Sequence, residues 1–196
     1  MAGEPMAGEP ELGGDEIVNQ LFNAQSLSGS WTRCQSETAR SLRFNYRFTA
    51  TEELQGTWRY EEDRFGEEQC IGSPSMTLIK EGTFILGDGL DLIDQARSIT
   101  LNHQAILLRA NNANTAQLLG TLCPEESFIA NVPTDLSETG CERLSIKALS
   151  ECPERFDLVS LTHESLYFGV MENGESEACV EQDRPTRLGE PLNRAP

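Results

Sequence analysis

Phe44, Tyr46 and Phe48 alternate with Arg43, Asn45 and Arg47, and a few residues later Trp58 and Tyr60 alternate with Thr57 and Arg59. Successive side chains on a strand point to opposite faces. Rings on one parity and polar groups on the other therefore describe strands that share one buried interior. Two such runs, close behind the stretch Gly29-Ser30-Trp31-Thr32-Arg33-Cys34, predict the opening of an antiparallel β-barrel whose interior the rings line.

The remainder of the chain continues in that vein. Strand patterns fall at 30–35, 41–50, 53–62, 74–80, 82–87, 97–103 and 104–110, then at 117–122, 143–149, 155–162 and 165–170. Gly87-Asp88-Gly89 reads as a tight turn, Asn102-His103-Gln104 as a hairpin turn, and Asn111-Asn112-Ala113-Asn114 as a polar loop. The segment 155–170 reads as a hairpin turning at His163-Glu164. Ile17, Val18, Leu21 and Phe22 lie at helical spacing behind Asp15 and Glu16, so 15–26 is expected to be a short amphipathic helix capping one end. Many short strands with a helix at one end predict an all-β fold, an antiparallel barrel of about eight to ten strands. The domain is placed at 15–171, between a Gly, Pro and Glu-rich disordered tail at 1–14 and an acidic, Pro-containing C-terminal tail at 172–196.

A net charge of −17, from 32 acidic and 15 basic residues, repels phosphate backbones and anionic membrane surfaces, so no nucleic-acid partner is expected. A basic protein is the partner such a surface would favour. No apolar run approaches the roughly 18 residues of a membrane-spanning helix. The duplicated Met1-Ala2-Gly3-Glu4-Pro5 and Met6-Ala7-Gly8-Glu9-Pro10 lacks the basic and apolar regions of a secretory signal.

The six cysteines, Cys34, Cys70, Cys123, Cys141, Cys152 and Cys179, form no C-x-x-C pair. The only histidines are His103 and His163, so no metal site is expected. An even number of separated cysteines fits disulfides and an oxidising location: secreted, periplasmic or cell-surface. Six cysteines allow 15 connectivities. Neighbour pairing would give Cys34–Cys70, Cys123–Cys141 and Cys152–Cys179, each closed loop contributing roughly 3–4 kcal/mol through loop-closure entropy.

No nucleophile elbow, zinc-protease helix or phosphate loop is present, and neither catalysis nor a cofactor is expected. Arg33, Arg43, Arg47 and Arg59 sit on the parity opposite to some of the rings. One of them turned inward at the mouth would meet a ligand carboxylate.

Gly29-x-Trp31 after a short helix is similar to the opening motif of lipocalins and their calycin relatives, in which the tryptophan plugs the closed end of the barrel. Gly29-Ser30-Trp31 with Cys34, the run Ser41-Leu42-Arg43-Phe44-Asn45-Tyr46-Arg47-Phe48, and Cys70-Ile71-Gly72-Ser73-Pro74-Ser75-Met76-Thr77-Leu78 followed by Gly82 resemble the start of the APC-down-regulated domain. Gly140-Cys141-Glu142 and the stretch from Phe156-Asp157-Leu158-Val159 to Tyr167-Phe168-Gly169 are similar to its second half, so the resemblance spans residues 27–170. That family is known from a membrane-tethered Wnt antagonist with two barrels. The resemblance implies a lipocalin-like barrel, secreted or surface-tethered, with a Cys34–Cys70 bridge and a lipid-type ligand such as an acyl chain. With one barrel and no membrane span, a role in Wnt signalling does not carry over.

Three functions follow as expectations. In the first, a hydrophobic small molecule or lipid is bound without catalysis against Phe44, Tyr46, Phe48, Trp58, Tyr60, Met76 and Leu78, above the plug Trp31. In the second, the rings fill a plain core and the acidic surface binds protein. The third is a calycin-type enzyme, which requires His103 or His163 to face the lumen.

Overall fold

The structure is a computed structural model that describes residues 22–89, 93, 95–162, 164–171 and 177–195. Among them, strands β1 (Gly29–Glu37), β2 (Arg40–Ala50), β3 (Gln55–Phe65), β4 (Met76–Gly89), β5 (Ala96–Ala110), β6 (Pro133–Asp135), β7 (Glu154–Leu161), β8 (Ser165–Phe168) and β9 (Leu192–Arg194) are joined by two α-helices, α1 (Ala24–Leu27) and α2 (Ala113–Leu122). The sheet order is β4-β3-β2-β1-β9-β8-β7-β5, and pairing of β5 back to β4 closes eight strands into an antiparallel barrel. Strand β6 is an outlier that adds to β5 beyond β7.

The aromatic alternation sets the register. Trp31 lies opposite Tyr46, Tyr46 opposite Tyr60, and Phe48 opposite Trp58. Cross-strand rings on one face are the contacts that stabilise a sheet pair. With Phe84, Leu86, Ile99, Leu101, Val159, Leu166 and Leu192 they form one buried cluster inside the barrel.

Two pairs of expected strands are in fact single long strands. The patterns 74–80 and 82–87 merge into β4, which also takes in Gly87-Asp88-Gly89, and 97–103 and 104–110 merge into β5. The apparent hairpin turn at 102–104 is a β-bulge: pairing steps from Glu81–Ala105 to Gly82–His103, leaving Gln104 as the extra residue. A side chain at position 82 would bring its Cβ to 1.8 Å from the Asn102 carbonyl oxygen. The bulge reverses the parity of β5. Ile99 and Leu101 enter the barrel core, whereas Ile106, Leu108 and Ala110 belong to a second cluster with Leu78, Leu119, Leu136 and the Cys123–Cys141 bridge.

That second cluster holds the remaining corrections to the sequence reading. Residues 117–122, expected as a strand, lie in α2. Asn112, taken for loop, caps the helix by accepting the Thr115 N–H at 2.8 Å, and Ala116 and Leu119 form its buried face. The expected strand 143–149 is a 3-10 turn, Glu142–Leu144, followed by a left-handed Ser145, with only an isolated bridge between Cys141 and Ile146.

Helix α1 caps the end of the barrel, with Asn23 accepting the Ser26 N–H at 3.0 Å. The tail 1–14 and the expected helical residues 15–21 lie outside the described residues. At the other terminus, of the segment expected as a tail at 172–196, the described residues 177–195 contribute to the wall. Cys179 is bridged to Cys152, Arg184 donates to the Ile99 and Asp157 carbonyls, and β9 inserts between β1 and β8. A three-residue strand with Leu192 as its one apolar residue leaves no period-two signature. Arg194 completes the closure. Its guanidinium lies 4.9 Å from the centre of the Trp31 ring and donates to the Ser28 carbonyl at 3.0 Å, while Trp31 Nε1 donates to the Leu27 carbonyl at 2.9 Å. Gly29, at φ 133°, lies against that same guanidinium.

The cysteines pair as neighbours: Cys34–Cys70, Cys123–Cys141 and Cys152–Cys179. Alkylation of unreduced native protein should therefore add no mass, and all six labels should appear only after reduction. Label on native protein would contradict the pairing. Arg194→Ala removes a cation–ring contact and a charged hydrogen bond, and should lower unfolding free energy by about 2 kcal/mol with an unchanged urea m-value.

Candidate functional site

At the α1 end the barrel is filled. Trp31, Phe48, Trp58 and Phe84 are at most 3% exposed, and Phe48 meets Phe84 edge-on at 5.3 Å between ring centres. Moving along the strands away from α1, the rings stay stacked but the space above them opens. Tyr46 lies 4.7 Å from Tyr60 and 4.6 Å from Phe168, and Phe44 stacks on Tyr60 at 6.5 Å. These four rings floor a pocket of about 850 Å³ at the mouth, walled by β1, β3, β4 and the 144–146 segment and also lined by Arg155, Glu177, Gly189, Glu190 and Leu192.

The seven residues expected to touch a ligand therefore separate. Phe44, Tyr46, Tyr60 and Leu78 line the pocket. Phe48 and Trp58 lie in the filled layer beneath, and Met76 packs against the second cluster. Of the four arginines considered, Arg33 turns to the mouth and lies 5.0 Å from the Phe44 ring centre. Arg43 pairs with Asp63, Arg59 pairs with Glu61 and Glu81, and Arg47 is exposed.

Sequence reading missed the charged groups that line the pocket beside the rings, Glu62, Arg64, Lys80, Arg155 and Glu177. Arg155 donates to the Tyr46 hydroxyl at 3.2 Å and pairs with Asp157, whose Oδ1 accepts the backbone N–H groups of Leu158 and Gly169. Lys80 pairs with Glu177, both side chains about nine-tenths buried. Arg64 donates to Glu62, which also accepts the Tyr60 hydroxyl. The available clue to Arg155 and Asp157 was parity: they share the face of Val159, which enters the barrel core, although Leu158 on the opposite face is buried as well. Parity likewise places Lys80 on the face of Leu78, Phe84 and Leu86 on β4, whereas nothing local marked its partner Glu177, 97 residues away.

Burial and charge act against each other among these groups. Burial pushes Asp157 upward, against the pull of Arg155 and the two backbone N–H groups. Burial also pushes Glu177 upward, but Lys80 and Arg155 together hold it below the ordinary carboxylate range. Burial raises the Tyr60 hydroxyl well above its usual value, and the neighbouring Glu62 adds to the rise.

His103 faces inward on β5 but does not line the pocket. Its ring lies 5.3 Å from Trp58, and its Nδ1 lies 2.9 Å from the Cys152 carbonyl oxygen. A carbonyl only accepts, so Nδ1 carries the proton, and the buried Nε2 meets no partner among the described residues. Burial holds this histidine below its ordinary value. His103, Cys152 and Glu177 are the one group of metal-ligand residue types gathered among the described residues. The Cys152 sulfur is bonded to Cys179 and the Glu177 carboxylate to Lys80, so the group offers no thiolate. His163 lies outside the described residues.

No protein-family model matches this chain, and no curated protein matches it in sequence.

Because His103 titrates lower in the folded protein than unfolded, its contribution to stability is complete above its unfolded value of 6.5 and is lost as pH falls below it. Urea midpoints measured from about pH 7.5 to about pH 5.5 should decline for the native chain and decline less for His103→Gln.

Proposed function

We propose that this protein binds a hydrophobic small molecule, without catalysis, at the open mouth of its barrel. The observation that carries this reading is the aromatic floor of Phe44, Tyr46, Tyr60 and Phe168 beneath a pocket of about 850 Å³. Ligand sites of roughly 300–1,000 Å³ are concave and combine apolar surface with placed polar groups; here the apolar surface is the aromatic floor, and the wall is polar, carrying Arg33, Glu62, Arg64, Lys80, Arg155 and Glu177. The filled layer of Phe48, Trp58 and Phe84 directly beneath it makes the ligand rest on the rings instead of threading the barrel. Affinity comes from apolar surface taken out of water, about 25 cal/mol per Å² before ordering costs.

The resemblance to the APC-down-regulated domain, whose implied ligand is lipid-like, supports the same reading. The three disulfides support a secreted, periplasmic or cell-surface setting for this binding.

Native mass spectrometry of the purified chain, with extraction of any retained lipid, tests the proposal. Phe44→Ala and Tyr60→Ala should each weaken binding about tenfold. Phe48→Leu, one layer down, should lower stability and leave affinity in place. Equal loss in all three variants would mean that the effect travels through folding, and no binding in the native chain would end the proposal.

A further inference from the structure

Charge is unevenly committed around the pocket. Four cations line it, Arg33, Arg64, Lys80 and Arg155. Three are bound to buried or largely buried carboxylates. Lys80 holds Glu177, Arg155 holds the fully enclosed Asp157, and Arg64 holds Glu62, whose side chain is 14% exposed. Arg33 differs. Its ionic partner Glu190 is 77% exposed and makes a single-oxygen contact at 3.2 Å, the other Arg33 bonds being to the Glu190 backbone carbonyl at 3.4 Å and to Gln35 Oε1 at 3.1 Å. Such a surface pair is worth little and is easily given up. The Nε of Arg33 is buried and meets no acceptor among the described residues, so of the four pocket cations Arg33 is the one whose carboxylate partner is exposed and which keeps a buried donor without an acceptor.

Building on the reading of this pocket as a ligand site, we infer that the ligand is an anionic amphiphile. Its carboxylate displaces Glu190 on Arg33, and its apolar part lies on Phe44, Tyr60, Tyr46 and Phe168. A guanidinium presents parallel N–H donors that a carboxylate can take two at a time; here Glu190 takes Nη1 alone, and Nη2 donates at 3.1 Å to the neutral Gln35 Oε1, which a ligand carboxylate would displace together with Glu190. The position of Arg33 above the Phe44 ring sets the charged head beside the apolar floor. One under-committed cation suits one negative charge. A phosphate monoester, carrying about −1.5 to −2 at neutral pH, would require a second cation, and Lys80, Arg64 and Arg155 are already neutralised. The bulk charge of −17 attracts no anion, so selectivity for one has to come from this local site.

Calorimetric titration of the full chain with decanoate, decanol and decyltrimethylammonium, each below its micelle concentration, reads the preference directly. Decanoate should bind at least about tenfold tighter than decanol, with the cation weakest. Arg33→Gln should bring decanoate down to the affinity of decanol, and Glu190→Gln should tighten decanoate about threefold by removing the resident competitor. Arg33→Lys, which keeps the charge and loses the fork, should fall between native and Arg33→Gln, and it decides the matter if Arg33→Gln fails to fold. Equal binding of decanoate and decanol by the native chain, or a preference that survives in Arg33→Gln, overturns the inference and leaves the pocket reading standing. Failure of all three probes to bind overturns both.

Discussion

A sheet becomes a barrel only when its last strand reaches its first, and here that closure passes through three residues, Leu192, Asn193 and Arg194. Two register positions join β9 to β1 and two join it to β8. So short a ladder is held by what surrounds it. Leu192 enters the core, and Arg194 covers the Trp31 ring and reaches the Ser28 carbonyl. Trp31 in turn donates to the last residue of α1. Plug, cap and closing strand are thus one assembly. Without it, β1 and β8 would present unpaired backbone groups, and the ring stack would lose one of its walls.

The interior changes character along its length for a reason visible in its charged groups. Buried ions cost several kcal/mol each in lost hydration unless geometry and further hydrogen bonds offset it. Arg155, Asp157 and Tyr46 on one side, and Lys80 with Glu177 on another, meet that condition by satisfying one another. Their presence keeps apolar packing from continuing to the mouth. Toward α1 the rings are enclosed by one another and by aliphatic core residues. Toward the mouth they face open space, and the charged groups at the edge are partnered to different degrees.

The single extra residue in β5 has consequences on both sides of the bulge. Toward α1, the strand belongs to the barrel. Beyond Gln104 its inward parity is exchanged, and Ile106, Leu108 and Ala110 form a floor for α2 and for the loop tied by Cys123–Cys141. That second layer supplies Leu144, Ser145 and Ile146 to the pocket. The mouth is therefore shaped by a segment that is not barrel strand.

Period-two aromatics from Phe44 to Tyr60, the turn glycine before Trp31 and the spacing of six cysteines were enough to read an all-β barrel with disulfides, because strand parity and apolar burial are local properties of the chain. The same parity, followed along β7, places Arg155 and Asp157 on the face of Val159, but Leu158 on the other parity is buried too, and these groups went unread. What the sequence could not carry was decided by contacts between distant segments. Arg194 acts as a lock only when β9 lies beside Trp31, and 117–122 takes helix over strand because Asn112 caps it and Leu119 meets Leu136. Which rings are core and which are floor depends on how far each strand position lies from α1 in the closed barrel. Local alternation determines which side chains point inward. Only the closed tertiary structure determines how far each lies from the mouth, and so which of them a ligand can touch.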